Sequence, residues 1–410
     1  MISCDTTPLL AYDDALAQLT RGIDPLGRIV DVELRSALGA VLAETIESRI
    51  DVPGCAMSSM DGYAISIADL SAAGITTLPL SQRIPAGSAA APLVPGSAAR
   101  IFTGAPVPAG ADAVIMQEQV VASDDSISFE LRPASGSNIR PAGNDIKSDT
   151  RILTRGCRLR AQDIGLAASV GLQTLPVFEA VRVGMFFTGD ELVEPGETLA
   201  AHKIYDSNRY TLHGLLTSMG CEIVDLGLVG DSLEETKAAM RDAATRADLV
   251  VTSGGVSVGE EDYVRIAIEQ LGELRMWRIG IKPGKPLAYG QIDGTAFMGL
   301  PGNPVSVFAT FCLFVCPVIQ IMQGRGWQKP ISMPLIADFD WPKADSRREF
   351  LRARLARGED GQTRVQVYPN QDSGVLTSTV WADGFVEIAE NQTVAAGQVV
   401  NYLPFAQFFG

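Results

Sequence analysis

The chain has 410 residues, of which 46% are hydrophobic and 20% charged, and its formal net charge is −15 at pH 7. This length exceeds the size of one compact core, so we expect three or four domains, and the hydrophobic content excludes a disordered chain. The negative balance excludes a broad basic face for DNA or RNA, so an anionic ligand would have to be held by a local group of cations.

The first region in chain order has helical spacing. Apolar residues recur at helical intervals over residues 11–50 and again, briefly, over residues 161–170. We therefore predict a discontinuous helical scaffold made of residues 1–50 and 149–180. Residues 1–10 lack a basic stretch followed by a long apolar core, and the six cysteines form no C-x-x-C pair, which together predict a cytoplasmic protein with reduced thiols.

A second region, residues 51–148, changes to short β-prone runs separated by turns rich in proline and glycine. The predicted strands cover residues 62–67, 98–102, 113–119 and 126–131. This pattern indicates a small β-rich domain inserted into the helical one.

From residue 181 to residue 327 the chain alternates between apolar runs and helical patterns. Predicted strands at 181–187, 222–228 and 249–252 are separated by predicted helices, the last of which follows Asn303. This order specifies a largely parallel sheet covered by helices on both faces. Residues 328–410 return to short strands and predict a C-terminal β domain.

One apolar run, residues 305–322, is about long enough to span a bilayer. Asn303-Pro304 precedes it as an N-cap residue and a proline at the first helical position, and Ser306, Thr310 and Gln320 interrupt it. We therefore favour a helix buried against a sheet or a partner subunit.

Ligands of open parallel sheets bind beyond the carboxyl ends of the strands, and several loops there carry acids. Asp190 and Glu191 follow the first strand and suit Mg²⁺ bridging to a phosphate, although Asp190 could instead cap a helix. Asp231 precedes Ser232, which we expect to cap a helix, and is either a ligand or a turn residue. Asp262 lies at a helix start, where the helix dipole alone could explain it.

Other loops at the same edge carry groups that bind anions. The paired glycines Gly254 and Gly255, between Ser253 and Ser257, would let backbone N–H groups approach an anion, or would form an ordinary tight turn. Lys282-Pro283-Gly284-Lys285-Pro286 is stiffened by its prolines and presents two ammonium groups. The segment from Pro301 through Pro304 to Ser306 forms either another anion seat or a simple helix cap. Together these loops predict a phosphate-bearing substrate and a divalent cation.

The motifs, taken in order, resemble those of molybdopterin molybdenumtransferase, the MoeA and gephyrin E-domain family. The resemblance is carried over nearly the whole chain by residues 59–64, 100–113, 188–192, 206–208, 253–257, 282–286 and 300–306. It departs from the family pattern at Cys55-Ala56-Met57 and at Asn144, which face the expected pterin wall.

The resemblance implies a multidomain α/β plus β fold. Its parts would be a central α/β sandwich with a mostly parallel sheet of the molybdopterin-binding type, a discontinuous helical domain used for dimerisation, an inserted β-rich domain and a C-terminal β-barrel-like domain. It implies a cytoplasmic homodimer that inserts molybdate into the dithiolene of adenylylated molybdopterin and releases AMP with Mg²⁺ present. It also implies transient contact with molybdopterin adenylyltransferase and apo-molybdoenzymes, with no nucleic acid or membrane partner.

The resemblance also assigns roles to residues. Asp190, Glu191 and Asp231, with Asp262, would surround the metal and the pyrophosphate. The phosphate or nucleotide part would be lined by Ser253, Gly254, Gly255 and Ser257. Molybdate would be surrounded by Lys282, Lys285, Ser306, Arg347 and Ser373, with Pro301 and Pro304 in the same wall, whereas Asp61 and Thr103 would reach the site from the partner subunit.

Two other functions remain open from the sequence. A molybdopterin adenylyltransferase is built on a similar α/β domain, but typically has little beyond that domain. A non-catalytic dimeric scaffold of the gephyrin E-domain type would have no need of the acids and lysines.

Overall fold

The first region of the structure contains less helix than its spacing predicts. The computed structural model describes residues 9–255 and 263–409. Helix α1 covers only Tyr12–Arg21, and the chain continues as strands β1 (Ile29–Glu33), β2 (Val41–Leu42) and β3 (Ile46–Glu47). The helix predicted over residues 11–50 is therefore wrong beyond Arg21. Asp24-Pro25 ends the helical conformation, and the β-branched residues of β1 favour an extended chain.

The β-rich insertion is present where the short apolar runs predicted it. Its strands are β4 (Met57–Ser58), β5 (Gly62–Ile65), β6 (Thr76–Ile84), β7 (Ala98–Ile101), β8 (Ala113–Met116), β9 (Val121–Ala122), β10 (Ser126–Phe129) and β11 (Ile139–Arg140). Six of them form one mixed sheet in the order β8-β5-β7-β6-β10-β9.

The chain then returns to the first region through β12 (Arg151–Leu153), helix α2 (Ala161–Ser169) and β13 (Thr174–Phe178). Strand β13 lies between β1 and β2 and pairs antiparallel with both. The first region is therefore discontinuous, as predicted, but it is held together by a small sheet as well as by helices. The boundaries at residues 148, 180 and 327 stay predictions.

The α/β region places helices around a six-stranded sheet. Its elements are β14 (Arg182–Thr188), β15 (Leu192–Val193), β16 (Ile204–Tyr205), α3 (Ser207–Ser218), β17 (Glu222–Val229), α4 (Leu233–Arg246), β18 (Leu249–Ser253), α5 (Tyr263–Leu271), β19 (Gly272–Arg278), β20 (Ile281–Lys282), β21 (Pro286–Ile292) and β22 (Thr295–Leu300). The strand order is β17-β14-β18-β22-β21-β19, and the first four strands are parallel. The largely parallel sheet predicted from the alternation is confirmed.

The long apolar run forms a bent helix in the core. Helix α6 (Pro304–Thr310) passes through a π turn at Phe311–Val315 into α7 (Cys316–Met322). The π turn lies where Pro317 has no N–H to donate to the carbonyl of Leu313. By length and hydropathy the stretch Pro304–Met322 could cross a membrane, but 89% of it is buried inside the protein. Its burial supports the core helix that its caps predicted.

The C-terminal region closes into a barrel. It contains β23 (Met333–Ala337), β24 (Arg348–Arg357), β25 (Thr363–Val367), α8 (Thr377–Trp381), β26 (Gly384–Ile388), β27 (Val399–Pro404) and α9 (Ala406–Phe409). The order β24-β25-β23-β27-β26 is closed by pairing of β26 with β24. Strand β20 of the preceding region adds to this sheet by pairing parallel with the start of β24.

One hydrophobic core joins α1, the α/β sheet, the long helix and the barrel. Tyr12 of α1 packs edge-on against Phe314 at 5.7 Å and Phe350 at 5.3 Å between ring centroids. Edge-to-face rings at these distances add to the energy of burial. The barrel is therefore fixed against the α/β region, so loops from both can form one rigid site.

Candidate functional site

A cleft of about 930 Å³ opens between the α/β region and the barrel. Its walls come from the loops after β14, β18 and β22, from the segment after β20, and from two segments of the barrel region. The loops after β14, β18 and β22 lie at the carboxyl ends of parallel strands, where ligands of such sheets bind. The residues predicted for the site that line it are Glu191, Ser253, Gly254, Lys282, Lys285, Pro301, Pro304, Ser306, Arg347 and Ser373.

The loop after β18 depends on its two glycines. Gly254 has φ +94° and Gly255 has φ +66°, and a Cβ on Gly255 would lie 2.8 Å from a methyl carbon of Val264. Side chains rarely adopt this left-handed conformation, so the paired glycines are required for the turn itself. The Ser253 hydroxyl donates to the carbonyl of Pro301 at 2.9 Å and so ties this loop to the one that follows β22.

The cationic wall is built by strand pairing between regions. Because β20 pairs with β24, Lys282 lies opposite Glu349, and its ammonium is 2.8 Å from that carboxylate. Lys282 also lies 3.5 Å from Asp345, which accepts three hydrogen bonds from Arg347, one from the backbone N–H and two from the guanidinium. Lys285 has no ion-pair partner among residues 9–255 and 263–409. The wall therefore holds three cations against two carboxylates.

The charge state of this wall follows from its contacts. Hydrogen bonds from Arg347 hold the pKa of the Asp345 carboxyl far below its ordinary value, and the positive charge of Lys282 acts in the same direction. Asp345 is therefore ionised at neutral pH. Of the three cations, Lys285 is the one that has no carboxylate partner among the described residues. Glu191, Asp206 and Asp372 also line the cleft. Glu349 is 1% exposed and accepts a hydrogen bond from the indole of Trp341 at 2.7 Å.

Two hydroxyl groups belong to the same wall. Ser306 lies in the first turn of α6 and is 4% exposed. Ser373 accepts a hydrogen bond from the Asn303 amide at 2.8 Å, and its carbonyl accepts from the N–H of Val305 at 3.0 Å. Asn303 occupies the N-cap position as predicted, but its side chain does not cap the helix; the amide is directed to the barrel segment instead.

The barrel segment that carries Ser373 is anchored by a buried arginine. Arg352 is 1% exposed, and its guanidinium donates to the Ser378 hydroxyl at 3.0 Å and to the carbonyl of Asp372 at 3.1 Å. Burial lowers the pKa of Arg352 to about 10, so it remains charged at neutral pH. Gln371 bridges the backbone of the same arginine in both directions. Arg352 therefore positions Ser373 without lining the cleft.

The acidic residues are less concentrated than predicted. Glu191 lines the cleft, and Asp231 accepts a hydrogen bond at 2.9 Å from Thr188, which is itself a wall residue. Asp190 is exposed and does not line the cleft. No helix begins at Asp190, so the capping alternative is wrong; the chain forms β15 there, and Asp206 caps the next helix.

The described residues alone do not form a metal site. Among residues 9–255 and 263–409 no group of three or more His, Cys, Asp or Glu side chains is arranged to hold a metal ion. Asp190, Glu191 and Asp231 are thus not gathered into one cluster of three carboxylates. Asp190 is exposed and outside the lining, whereas Glu191 lines the cleft. Asp262, and with it Ser257, lies outside the described residues, so the predicted Mg²⁺ stays a prediction.

Asp61 and Thr103 contact each other but lie away from this cleft. The backbone N–H and the hydroxyl of Thr103 both donate to Asp61, each at 2.7 Å, and these bonds lower the pKa of the carboxyl. Both residues belong to the β-rich insertion and do not line the cleft of their own subunit. A contribution of Asp61 and Thr103 from a partner subunit stays a prediction.

Gly255 was predicted for the site but is not among the residues that line the cleft. It shapes the loop that follows Ser253.

Several lining or supporting residues were not assigned a role from the sequence. The ion-pair partners Asp345 and Glu349 lie within two residues of Arg347, and this closeness in sequence is the only local signal for them among the described residues. Asn208 donates to Ser253 at 2.9 Å and to the carbonyl of Gly302 at 2.7 Å, and so joins the start of α3 to the end of β18 and to the loop after β22. No local pattern predicts such a junction.

Three family models match the chain in succession. The MoeA N-terminal region (domain I and II) matches residues 10–171, a probable molybdopterin binding domain matches 184–321, and the MoeA C-terminal region (domain IV) matches 334–405. Together they cover the three parts of the fold that surround or support the cleft.

Named relatives agree with these matches. A protein of Haemophilus influenzae named molybdopterin molybdenumtransferase is 39% identical over 406 residues, which cover 98% of this chain and 100% of that protein. A Drosophila melanogaster protein named molybdenum cofactor synthesis protein cinnamon is 31% identical over 373 residues, covering 87% of this chain and 60% of that protein.

A solved structure extends the agreement to the fold. The molybdopterin biosynthesis MoeA protein from Pyrococcus horikoshii OT3 superposes with a TM-score of 0.84 at 31% identity, covering 97% of this chain and 100% of that one. The resemblance predicted from the motifs is confirmed, and the chain is a member of the molybdopterin molybdenumtransferase (MoeA) family, whose enzymes act in molybdenum cofactor biosynthesis.

Proposed function

We propose that this chain inserts molybdenum from molybdate into the dithiolene of adenylylated molybdopterin and releases AMP. Two Mo–S bonds form, and the two thiol protons leave with one molybdate oxygen as water. A water molecule cleaves the phosphoanhydride, so that AMP and the phosphate monoester are the products. The reaction needs a binding site for a tetrahedral dianion beside a binding site for a pyrophosphate.

The observation that carries the proposal is the group of three cations on one wall of the cleft. Lys282, Lys285 and Arg347 face two carboxylates, and the hydroxyl groups of Ser306 and Ser373 lie in the same wall. Fixed cations and neutral donors in a partly enclosed cleft suit an oxyanion, because the donors need no reorganisation when it binds. The loop at Ser253 and Gly254 supplies backbone groups that can face a phosphate.

Mg²⁺ and a homodimer are further parts of the proposal. Glu191 and Asp231 have no cationic partner among the described residues, and hard carboxylate oxygens suit Mg²⁺ when phosphate oxygens complete its shell. Asp61 and Thr103 would then enter the cleft from a second subunit. A cytoplasmic location fits the reduced-thiol pattern of the sequence.

The test is an assay of AMP release. Purified protein is mixed with adenylylated molybdopterin and Mg²⁺, and AMP is followed with and without molybdate. Release that depends on molybdate supports the proposal. Formation of ATP and molybdopterin when pyrophosphate is added to the mixture would instead identify an adenylyltransferase, and no reaction under any condition would leave a dimeric scaffold.

A further inference from the structure

Part of the cleft wall is apolar and lies apart from the cations in sequence. It consists of Leu192, Ile204 and Tyr205, which belong to the two-stranded ribbon β15–β16. Ile204 is 57% exposed and Tyr205 is 42% exposed, so both present apolar surface to solvent. Exposed apolar groups in a cleft that also holds fixed polar groups are typical of ligand sites.

The ribbon holds Tyr205 in a defined orientation. The N–H of Ile204 donates to the carbonyl of Glu191 at 2.8 Å, and the N–H of Asp206 donates to that of Val193 at 3.0 Å. The Tyr205 hydroxyl donates to the carbonyl of Glu197 at 2.9 Å. These bonds hold the backbone on both sides of Tyr205 and the hydroxyl of its ring, so the ring can move little. Little conformational entropy is therefore lost when a ligand packs on it.

Tyr205 is also the accessible aromatic ring of the cleft. The other aromatic residue in the lining, Phe187, is 0% exposed. No aromatic ring in the described part of the chain packs against Tyr205. The ring therefore offers a face to the cleft that the fold itself does not use.

We propose that Tyr205 is a substrate-binding residue that stacks on a planar nitrogen heterocycle, with Leu192 and Ile204 against the edges of that ring. This inference rests on the proposed function, because adenylylated molybdopterin carries two such rings, the pterin and the adenine. The cations then bind the anionic part of the same ligand, so the cleft consists of one subsite for the anion and one for the ring.

The experiment measures binding, so that it does not depend on turnover. Calorimetric titration with adenylylated molybdopterin, without molybdate, is performed on the wild type, Tyr205→Ala and Tyr205→Phe. A matched control is Tyr210→Ala: Tyr210 is 55% exposed, bonds Glu194 through its hydroxyl at 3.2 Å and does not line the cleft. We expect Tyr205→Ala to raise the dissociation constant roughly tenfold, as for loss of one stacking contact. Tyr205→Phe and Tyr210→Ala should stay close to the wild type.

Titration with AMP alone identifies the ring. If Tyr205→Ala weakens AMP binding by the same factor, the stacked ring is adenine; if AMP binding is unchanged while the full substrate binds more weakly, it is the pterin. Equal affinity of Tyr205→Ala and wild type for the full substrate overturns the inference. So does an equal loss in Tyr205→Phe, which would assign the effect to the hydroxyl bond. Absence of molybdate-dependent AMP release would count against the proposed function and leave these binding results standing.

Discussion

Two groups of ion pairs in this protein look alike but differ in charge balance. Where the first region meets the α/β sheet, Asp248 accepts hydrogen bonds from the side chains of both Arg28 and Arg182, and Arg28 also pairs with Glu179. That group contains two cations and two carboxylates. The wall of the cleft contains Lys282, Lys285 and Arg347 against Asp345 and Glu349.

This difference in charge balance indicates that the ion pairs at Asp248 stabilise the fold, whereas those in the cleft wall can bind a ligand. At Asp248 every charge is matched and the carboxylate is 6% exposed, so the network has no capacity for a further ion. In the cleft the side chain of Lys282 is 39% exposed, and Lys285 has no partner in the described part of the chain. An exposed cation without a carboxylate partner can pair with an incoming anion, whereas a network in which every charge is paired stabilises the fold.

The largest effect is expected at a carboxylate that has no cation beside it. Asp231 bonds only Thr188 among the described residues, and Asp231→Ala should reduce Mg²⁺-dependent AMP release on the order of 100- to 1,000-fold. Asp190→Ala is the comparison, because the Asp190 side chain is exposed and has no hydrogen bond to a residue of the cleft wall in the described part of the chain, so its loss should have a smaller effect. AMP assays at several Mg²⁺ concentrations measure both. Undiminished turnover in Asp231→Ala would contradict the proposal that Asp231 binds Mg²⁺.

Removal of a paired cation comes next. Lys282→Ala should lower kcat/KM for molybdate about 10- to 100-fold, since hydrogen bonds to charged groups contribute about 1.5–3 kcal/mol. Lys329→Ala is a matched control, because Lys329 pairs with Asp13 at 3.2 Å and lies outside this cleft.

A second variant separates binding from folding at the same position. Lys282→Ala leaves Glu349 buried without its lysine, which lowers stability. Adding Glu349→Gln should recover that stability in thermal unfolding without recovering molybdate dependence. Recovery of both would mean that Lys282 acts on the fold and not on the anion.

A smaller effect is expected at a neutral donor. Ser373→Ala should raise the molybdate concentration for half-maximal rate about two- to tenfold, the range for loss of one uncharged hydrogen bond. Ser346→Ala provides a control, since Ser346 is an exposed neighbour of Arg347 outside the cleft. An equal change in both variants would place the effect in the backbone near Arg347.

The balanced network should affect stability and leave catalysis unchanged. Burial alone would raise the pKa of Asp248, but hydrogen bonds from Arg28 and Arg182 outweigh it and lower that pKa to about 2. The lowered pKa contributes about 2 kcal/mol above the unfolded pKa, and this contribution is lost as pH falls from about 4 to about 2. Asp248→Asn should therefore lower the free energy of unfolding by about 2 kcal/mol at pH 7 and by less at pH 3, in urea titrations. A change in turnover per folded molecule would contradict the separation.

The parallel sheet and most of the cleft could be predicted because their signals are local. Buried parallel strands give continuous apolar runs, and the loops after them carry glycines, prolines and lysines that stand out in the sequence. Ser253, Gly254, Lys282 and Lys285 are therefore both predicted and found in the cleft. Arg347 and Ser373 were assigned by family resemblance, and they too line it.

The remainder depends on contacts between distant segments. The pairing of β20 with β24, which brings Lys282 to Glu349, is set by long-range register and leaves no periodic trace in either segment. The apolar positions of residues 29–33 are compatible with a helix. They form a strand because they pair with β13, which is distant in sequence. Each strand of the ribbon that carries Tyr205 is only two residues long, which is too short to show the alternation of apolar and polar residues that predicts a strand.

Lys285 tests the central claim most directly, because it lines the cleft and has no ion-pair partner within residues 9–255 and 263–409. Equilibrium dialysis of molybdate is compared between the wild type and Lys285→Ala, with thermal unfolding of both. If Lys285 binds the anion, molybdate binding is weakened roughly tenfold in Lys285→Ala and the unfolding temperature is unchanged. Equal molybdate affinity in the two proteins would contradict it.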